Sequence, residues 1–250
     1  MVSKTINKMK IRLHCIGFVL LFFLCSNGSA QIVKKFGEKD SIVFKGSIDV
    51  YFRGNINGTN DDENGTVAPV TAFANLPGFA LGMFNLVSTY EKNNVGAVSD
   101  LVFGPRGVDA VFKSQGSKNL VNQLYVFWNL SDAIKLTLGN FNTFLGYEVI
   151  SPVDNFNYST SYLFSYGPFS HTGIKADFDF KNGFTGMVGL FNPNDATDFN
   201  LTKDYVGGFQ LGYSTDKANA YINSTISEDF VQLDVTAGMN FTDFFMAALT

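Results

Sequence analysis

The feature that most constrains this chain is an alternation of period two. From Ile42 to Arg53 the even positions are Ile42, Phe44, Gly46, Ile48, Val50 and Phe52. The odd positions are Val43, Lys45, Ser47, Asp49, Tyr51 and Arg53. Successive side chains of a strand point to opposite faces, so this is a strand between an apolar and a wet environment. The pattern returns at Ile134–Gly139, His171–Phe180 and Val231–Phe241. Weaker strands occupy Gly78–Glu91, Val95–Gly104, Leu120–Leu130, Phe184–Phe191, Val206–Thr215 and Ala218–Ile226. A last one begins at Phe244. The expected count is about eleven, and no stretch carries a long 3.6-residue period.

The connections alternate too. Long loops at Asn55–Pro77, Pro105–Asn119, Phe144–Ser170 and Asn192–Tyr205 are interleaved with tight turns at Lys92–Asn94, Ser131–Ala133, Lys181–Gly183 and Asp216–Lys217. Ser227–Asp229 departs from this order by being short. In an antiparallel sheet, alternate connections lie at opposite ends. Long loops at one end, short turns at the other and strands of about 10 residues are the signature of a transmembrane β-barrel. Closure also satisfies the backbone in lipid. The competing architecture is a secreted β-sandwich, which alternates in the same way but has no reason to sort its loops by length.

The first thirty residues read as an address. Lys4, Lys8, Lys10 and Arg12 precede an 11-residue apolar run, Cys15 to Cys25. That is too short to span a bilayer, which takes roughly 20 residues. Gly28-Ser29-Ala30 then supplies small residues before Gln31. The expectation is a cleavable signal peptide over 1–30, cut after Ala30, with the barrel domain over 31–250. Lipid anchoring through Cys25 is disfavoured by the bulky Leu24. Cleavage removes four cations and no acid, which takes the formal net charge from -4 to -8. It also removes both cysteines and one of the two histidines, leaving His171. A thiol nucleophile and a Cys/His zinc site are thereby excluded. The acidic balance argues against nucleic acid as a partner.

Three blocks stand out: Leu136–Glu148, then Asn157-Tyr158-Ser159, then Gly167-Pro168-Phe169-Ser170-His171-Thr172-Gly173. With Val95-Gly96, Asp100–Gly104 and Leu120–Trp128 upstream, they resemble the OmpL-like putative β-barrel porin-2 family of Gram-negative outer membranes. The resemblance runs from about Gly46 to Asn194. It implies an all-β, antiparallel outer-membrane barrel with a porin role, no defined ligand and no catalytic set. The family continues with further strands. A chain ending mid-strand on Thr250, without a terminal aromatic, therefore reads as a barrel incomplete at its C-terminus.

A porin works by geometry and field, with charge rings biasing what passes. By parity the lumen candidates are Lys45, Asp49, Arg53, Asp100, Lys135, Lys175, Asp177, Asp179 and Asp234. Charge on the lipid face would cost about 2–4 kcal/mol at midplane for Lys or Arg. The longest loop, Phe144–Ser170, is the constriction candidate. It carries Tyr147, Glu148, Asp154 and Tyr158 among many aromatics. Either it folds inward and narrows the lumen, or its aromatics form a girdle at the membrane interface.

No enzyme is expected. Adjacent Ser170 and His171 point to opposite faces of a strand, and G-x-S-x-G is missing. No cofactor or metal is expected either. The acidic stretch Asn60–Glu63 lacks the spacing of a calcium loop. The expected partners are outer-membrane lipid and small solutes or ions, with homo-oligomerisation left open. Two functions stay open: a passive porin, or a barrel that binds a partner or serves structure without an open pore.

Overall fold

A computed structural model describes residues 28–35, 40–54, 78–111, 120–197, 200–242 and 245–249. Among these residues twelve strands form one antiparallel sheet in strict chain order. They are β1 (Gly28–Lys35), β2 (Asp40–Arg53), β3 (Gly78–Lys92), β4 (Val95–Phe103), β5 (Val121–Ser131) and β6 (Ile134–Asn142). Then come β7 (Ser170–Lys181), β8 (Phe184–Phe191), β9 (Val206–Ser214), β10 (Ala218–Ile226), β11 (Val231–Thr242) and β12 (Phe245–Leu249). Among the described residues β1 pairs with β2 alone and β12 with β11 alone, so the sheet is open between them.

The eleven expected strands are β2 to β12. The additional one, β1, has Ile32 and Val33 adjacent and lysines behind them, so it shows no alternation to read. Its partner in β2 specifies it instead, with Ala30 opposite Gly46 and Lys35 opposite Ser41. β1 therefore starts at Gly28, ahead of the expected cut after Ala30. The rest of the leader lies outside the described residues, as do the acidic stretch Asn60–Glu63 and most of the first long loop.

The register sorts the connections by end. β3–β4, β5–β6, β7–β8 and β9–β10 turn tightly at one end. The long connections, residues 54–77, 104–120, 143–169 and 192–205, all leave from the other. The short connection after β10 sits at the long-loop end as well, so it departs in length but not in placement. Among the described residues two short helices lie within long loops: α1 (Pro105–Ala110) and α2 (Tyr162–Tyr166).

One face of the sheet is apolar and open. Ile48, Val50 and Phe52 of β2 are exposed, as are Leu124, Val126 and Trp128 of β5, and Leu233 and Val235 of β11. A continuous apolar surface of this extent needs a non-aqueous neighbour. Charged residues of outward parity sit at strand ends, where Lys92 pairs with Asp40 at 4.0 Å beside the short turns. The opposite face buries polar groups: Ser47, Asp49, Asn85, Asp100, Thr137, Asn223, Thr225 and Thr236. Apolar out and polar in is the reverse of a water-soluble fold.

Candidate functional site: a loop folded over the polar inner face

The connection between β6 and β7, residues 143–169, lies across the inner face. It is held at two widely separated strands. On one side the Tyr158 hydroxyl donates to Asp49 Oδ2 on β2 at 2.6 Å. On the other the Gly146 N–H donates to Asp234 Oδ2 on β11 at 3.0 Å. A loop rooted between β6 and β7 that reaches both strands requires the sheet to curl around it. Leu145, Ile150, Thr160 and Phe169 of the loop are buried in consequence.

Asp49 is placed by a bulge. The β2–β3 register shifts between Ile48 and Val50, which sets Asp49 against Gly82 and Met83. The Met83 N–H donates to Asp49 Oδ1 at 2.9 Å. A Cβ on residue 82 would fall 1.6 Å from Asp49 Oδ2, so the carboxylate fits only over a glycine. Arg106 completes the cluster. Its Nε lies 3.7 Å from Asp49 Oδ2, both side chains are 2% exposed, and its guanidinium sits 4.9 Å from the centre of the Tyr158 ring.

Arg106 is delivered by α1. Pro105 starts that helix. The chain enters it through Gly104 at φ 102, a left-handed conformation that glycine adopts without strain. α1 is seated by Ala110 in a cluster with Met83, Val102, Val111, Ile150 and Phe169. Breaking such a pair by removing one partner typically costs about 3–5 kcal/mol, because the other charge is left buried and alone. The Tyr158 hydroxyl is held protonated well above its usual range, by burial first and then by its hydrogen bond and proximity to Asp49, with Arg106 opposing. Burial also raises the Asp109 carboxyl in α1, again against Arg106.

A second network surrounds Asp100 on β4. Asn122 Nδ2 and Gln123 Nε2 donate to its Oδ2 at 2.8 and 2.9 Å, and Asn85 Nδ2 donates to Oδ1. The β4–β5 register slips next to this point, so two successive β5 side chains reach one carboxylate. The network continues through Asn140, which donates to the Asn122 carbonyl and accepts from Thr172.

A third anchors the loop to β9–β11. Asn223 donates to Asp234 at 2.6 Å, Gln210 donates to Asn223 at 2.7 Å, and Gln210 also reaches the Phe144 carbonyl at 3.4 Å. Between these polar clusters lies an aromatic plug of Phe141, Phe144 and Phe191 with Met187 and Val206. His171 is fully buried against Phe144 and Phe191, and its Nε2 lies 3.0 Å from the Thr143 hydroxyl, which also caps the Leu145 N–H.

The other expected positions divide. Lys175 and Asp177 share the inner face and pair at 2.8 Å, with Lys175 5.3 Å above the Phe141 ring. Lys45 is exposed on the inner face, and Lys135 stands 5.4 Å over Phe127 near the short turn. Arg53 ends β2, half-buried. Asp179 belongs to the turn, where it accepts from the Lys181 N–H at 2.7 Å. Among the described residues Glu148 bonds within the loop and to no strand. It accepts from the Ser161 N–H at 2.8 Å and from its hydroxyl, which makes it a brace inside the loop. Tyr147 packs near Gly238 of β11, and Asp154 is exposed on a cavity wall. The sequence motifs do not mark Arg106 or the amides at 85, 122, 123, 210 and 223. Inward parity could have found Asn85, Gln123 and Asn223, but only the fold reveals Arg106.

The sequence pattern of one protein family, described as putative beta-barrel porin-2, OmpL-like, matches residues 41–244. The chain belongs to that family. Nothing matches among curated proteins. Nothing matches among solved structures. The matched span runs from the start of β2 to just before β12 and includes the entire inward loop. Membership in this porin family carries a porin-like role and an outer-membrane location in general.

Proposed function

We propose that this OmpL-like porin is a passive passage for ions or small hydrophilic solutes, narrowed by the loop between β6 and β7. The observation that carries this reading is the double anchorage of the loop, to Asp49 through Tyr158 and to Asp234 through Gly146. A segment tied to both sides of a polar interior sets the free cross-section there. The charged and polar groups on its edges then bias what passes. Lys45, Arg53, Asp100, Lys135, Lys175, Asp177 and Asp234 are the lumen-side residues of this proposal. Export would use the leader over residues 1–30 with a cut after Ala30. Such passage takes place without a chemical step, a cofactor or a nucleic-acid partner.

Deleting Asp154–Tyr162 tests it in planar-bilayer recordings. The intact chain should give steady ohmic steps, and the deletion should enlarge them. Equal conductance would remove the constriction role. A second reading, a barrel closed by its own loop that serves binding or structure, draws on the same tight packing of Phe141, Phe144 and Phe191. Silence from well-folded protein, recognised by heat-modifiable gel migration, would favour it.

A further inference from the structure

The β4–β5 connection turns inward as well. α1 lies close against the wall made by β3 and β4. A Cβ on Gly107 would come within 3.0 Å of Val102 Cβ, and one on Gly104 within 2.8 Å of the Gly82 carbonyl oxygen. Farther along, Ala110 and Val111 share a buried cluster with Met83 of the wall and with Ile150 and Phe169 of the β6–β7 loop. The longest loop therefore rests on this segment as well as on the strands.

Arg106 touches both neighbours of α1 at once. Its Nε lies 3.7 Å from Asp49 Oδ2 on β2. Its Nη2 donates to the Tyr158 carbonyl at 3.4 Å, and its guanidinium carbon sits 4.9 Å from the centre of the Tyr158 ring. One buried planar cation thus joins β2, α1 and the β6–β7 loop. Apolar residues of similar volume often hold a fold as well as a buried ion pair does, so bulk stability alone does not account for this one.

We propose, resting on the reading of the barrel as a narrowed passage, that the constriction has two parts, α1 and the β6–β7 loop. Arg106 is the positioning residue that fastens both to β2. A helix with its side chains is about 10 Å across, so α1 takes up lumen width of its own. The planar fork of an arginine can grip Asp49 and Tyr158 together, whereas a lysine presents a single point of charge.

Non-specific proteolysis of the refolded, heat-modifiable full chain in lipid vesicles tests the fastening, with cuts mapped by mass spectrometry. Tyr158→Phe should speed cuts within 143–169 and leave 104–111 protected, because Arg106 still holds Asp49. Arg106→Met should speed cuts in both segments by about tenfold or more, since cleavage follows the opened population. Arg106→Lys keeps a cation beside Asp49 and serves even where Arg106→Met fails to fold. It should loosen 143–169 and keep 104–111 protected. Wild-type protection of 143–169 in Arg106→Lys, or of 104–111 in folded Arg106→Met, would overturn the fastening. Planar-bilayer recordings read the passage separately. Steps larger in Arg106→Met than in Tyr158→Phe support a two-part constriction. Equal steps in those two variants, with 104–111 released only in the first, would remove α1 from it. If folded wild type gives no steps, the passage is lost and the cleavage pattern alone decides the role of Arg106.

Discussion

The Tyr158 hydroxyl and Asp49 Oδ2 meet at 2.6 Å across 109 residues of chain. This bond ties the middle of the longest described loop to the second strand of the sheet. Tyr158→Phe removes the donor and leaves the buried Asp49 with Met83 and Arg106. A lost hydrogen bond to a buried charged group costs about 1–3 kcal/mol. The variant should unfold at lower urea in lipid vesicles and show faster protease cleavage within 143–169. Identical urea midpoint and identical cleavage would show that the bond does not hold the loop.

The same hydroxyl makes loop docking sensitive to alkali. Burial and Asp49 raise its folded-state titration above the ordinary tyrosine value of about 10. A group raised on folding contributes stability that is complete below its unfolded value and is lost as pH climbs toward the folded one. Docking should therefore be constant up to about pH 9 and weaken progressively above about pH 10. Wild type should lose its protease protection there. Tyr158→Phe should show a flatter dependence over the same range, and matching profiles would contradict this account.

Gly82→Ala places a Cβ 1.6 Å from Asp49 Oδ2 and 2.5 Å from its carboxyl carbon. The carboxylate must leave, and its bonds to Met83 and Tyr158 go with it. A loss of about 3 kcal/mol or more is expected, of the size seen when a buried ion pair is broken. Gly46→Ala is the control, because its nearest neighbour lies 3.9 Å away. Comparable urea midpoints for the two variants would mean that the bulge geometry is not as described.

Asp100→Asn tests the amide network. Three side-chain amides point N–H groups at this carboxylate, which only accepts. An asparagine offers one acceptor oxygen and turns an N–H toward another donor. Destabilisation of about 1–3 kcal/mol is expected from the unmet donors. Thermal unfolding followed by gel migration reads it, and an unchanged midpoint would count against the network.

Neighbouring positions on β9 separate the two faces. Leu211 is exposed on the apolar side, whereas Gln210 donates to Asn223 inside. Leu211→Lys should cost up to about 2–4 kcal/mol in lipid, depending on depth. In detergent micelles, which adapt around a charge, the penalty should shrink. A cost that is the same in vesicles and micelles would place Leu211 away from the hydrocarbon.

Local pattern and long-range contact divide what was legible here. Side chains of one strand alternate whatever the strand pairs with, so residues 42–53 and 231–241 disclose both of their faces unaided. Loop length is equally local, and it was enough to put the long loops at one end. β1 escaped because Ile32 and Val33 break the alternation, and only its pairing to β2 makes it a strand. Lys175 and Asp177 could be placed on one face by spacing alone, and they pair there. Asp179 shares their parity but lies at the turn, where the backbone claims it.

What the sequence determined by itself was an all-β chain with an apolar and a polar face, its ends unequal in loop length. The tertiary structure alone decided the direction of the longest loop. Its aromatics suit a membrane girdle as well as an inward plug, because an aromatic ring is stable in either place. The choice depends on partners far away in the chain: a bulge that turns Asp49 over Gly82, a short helix that delivers Arg106, and a β11 carboxylate that receives Gly146. None of these is periodic. Each depends on distances that exist only once the sheet has curled.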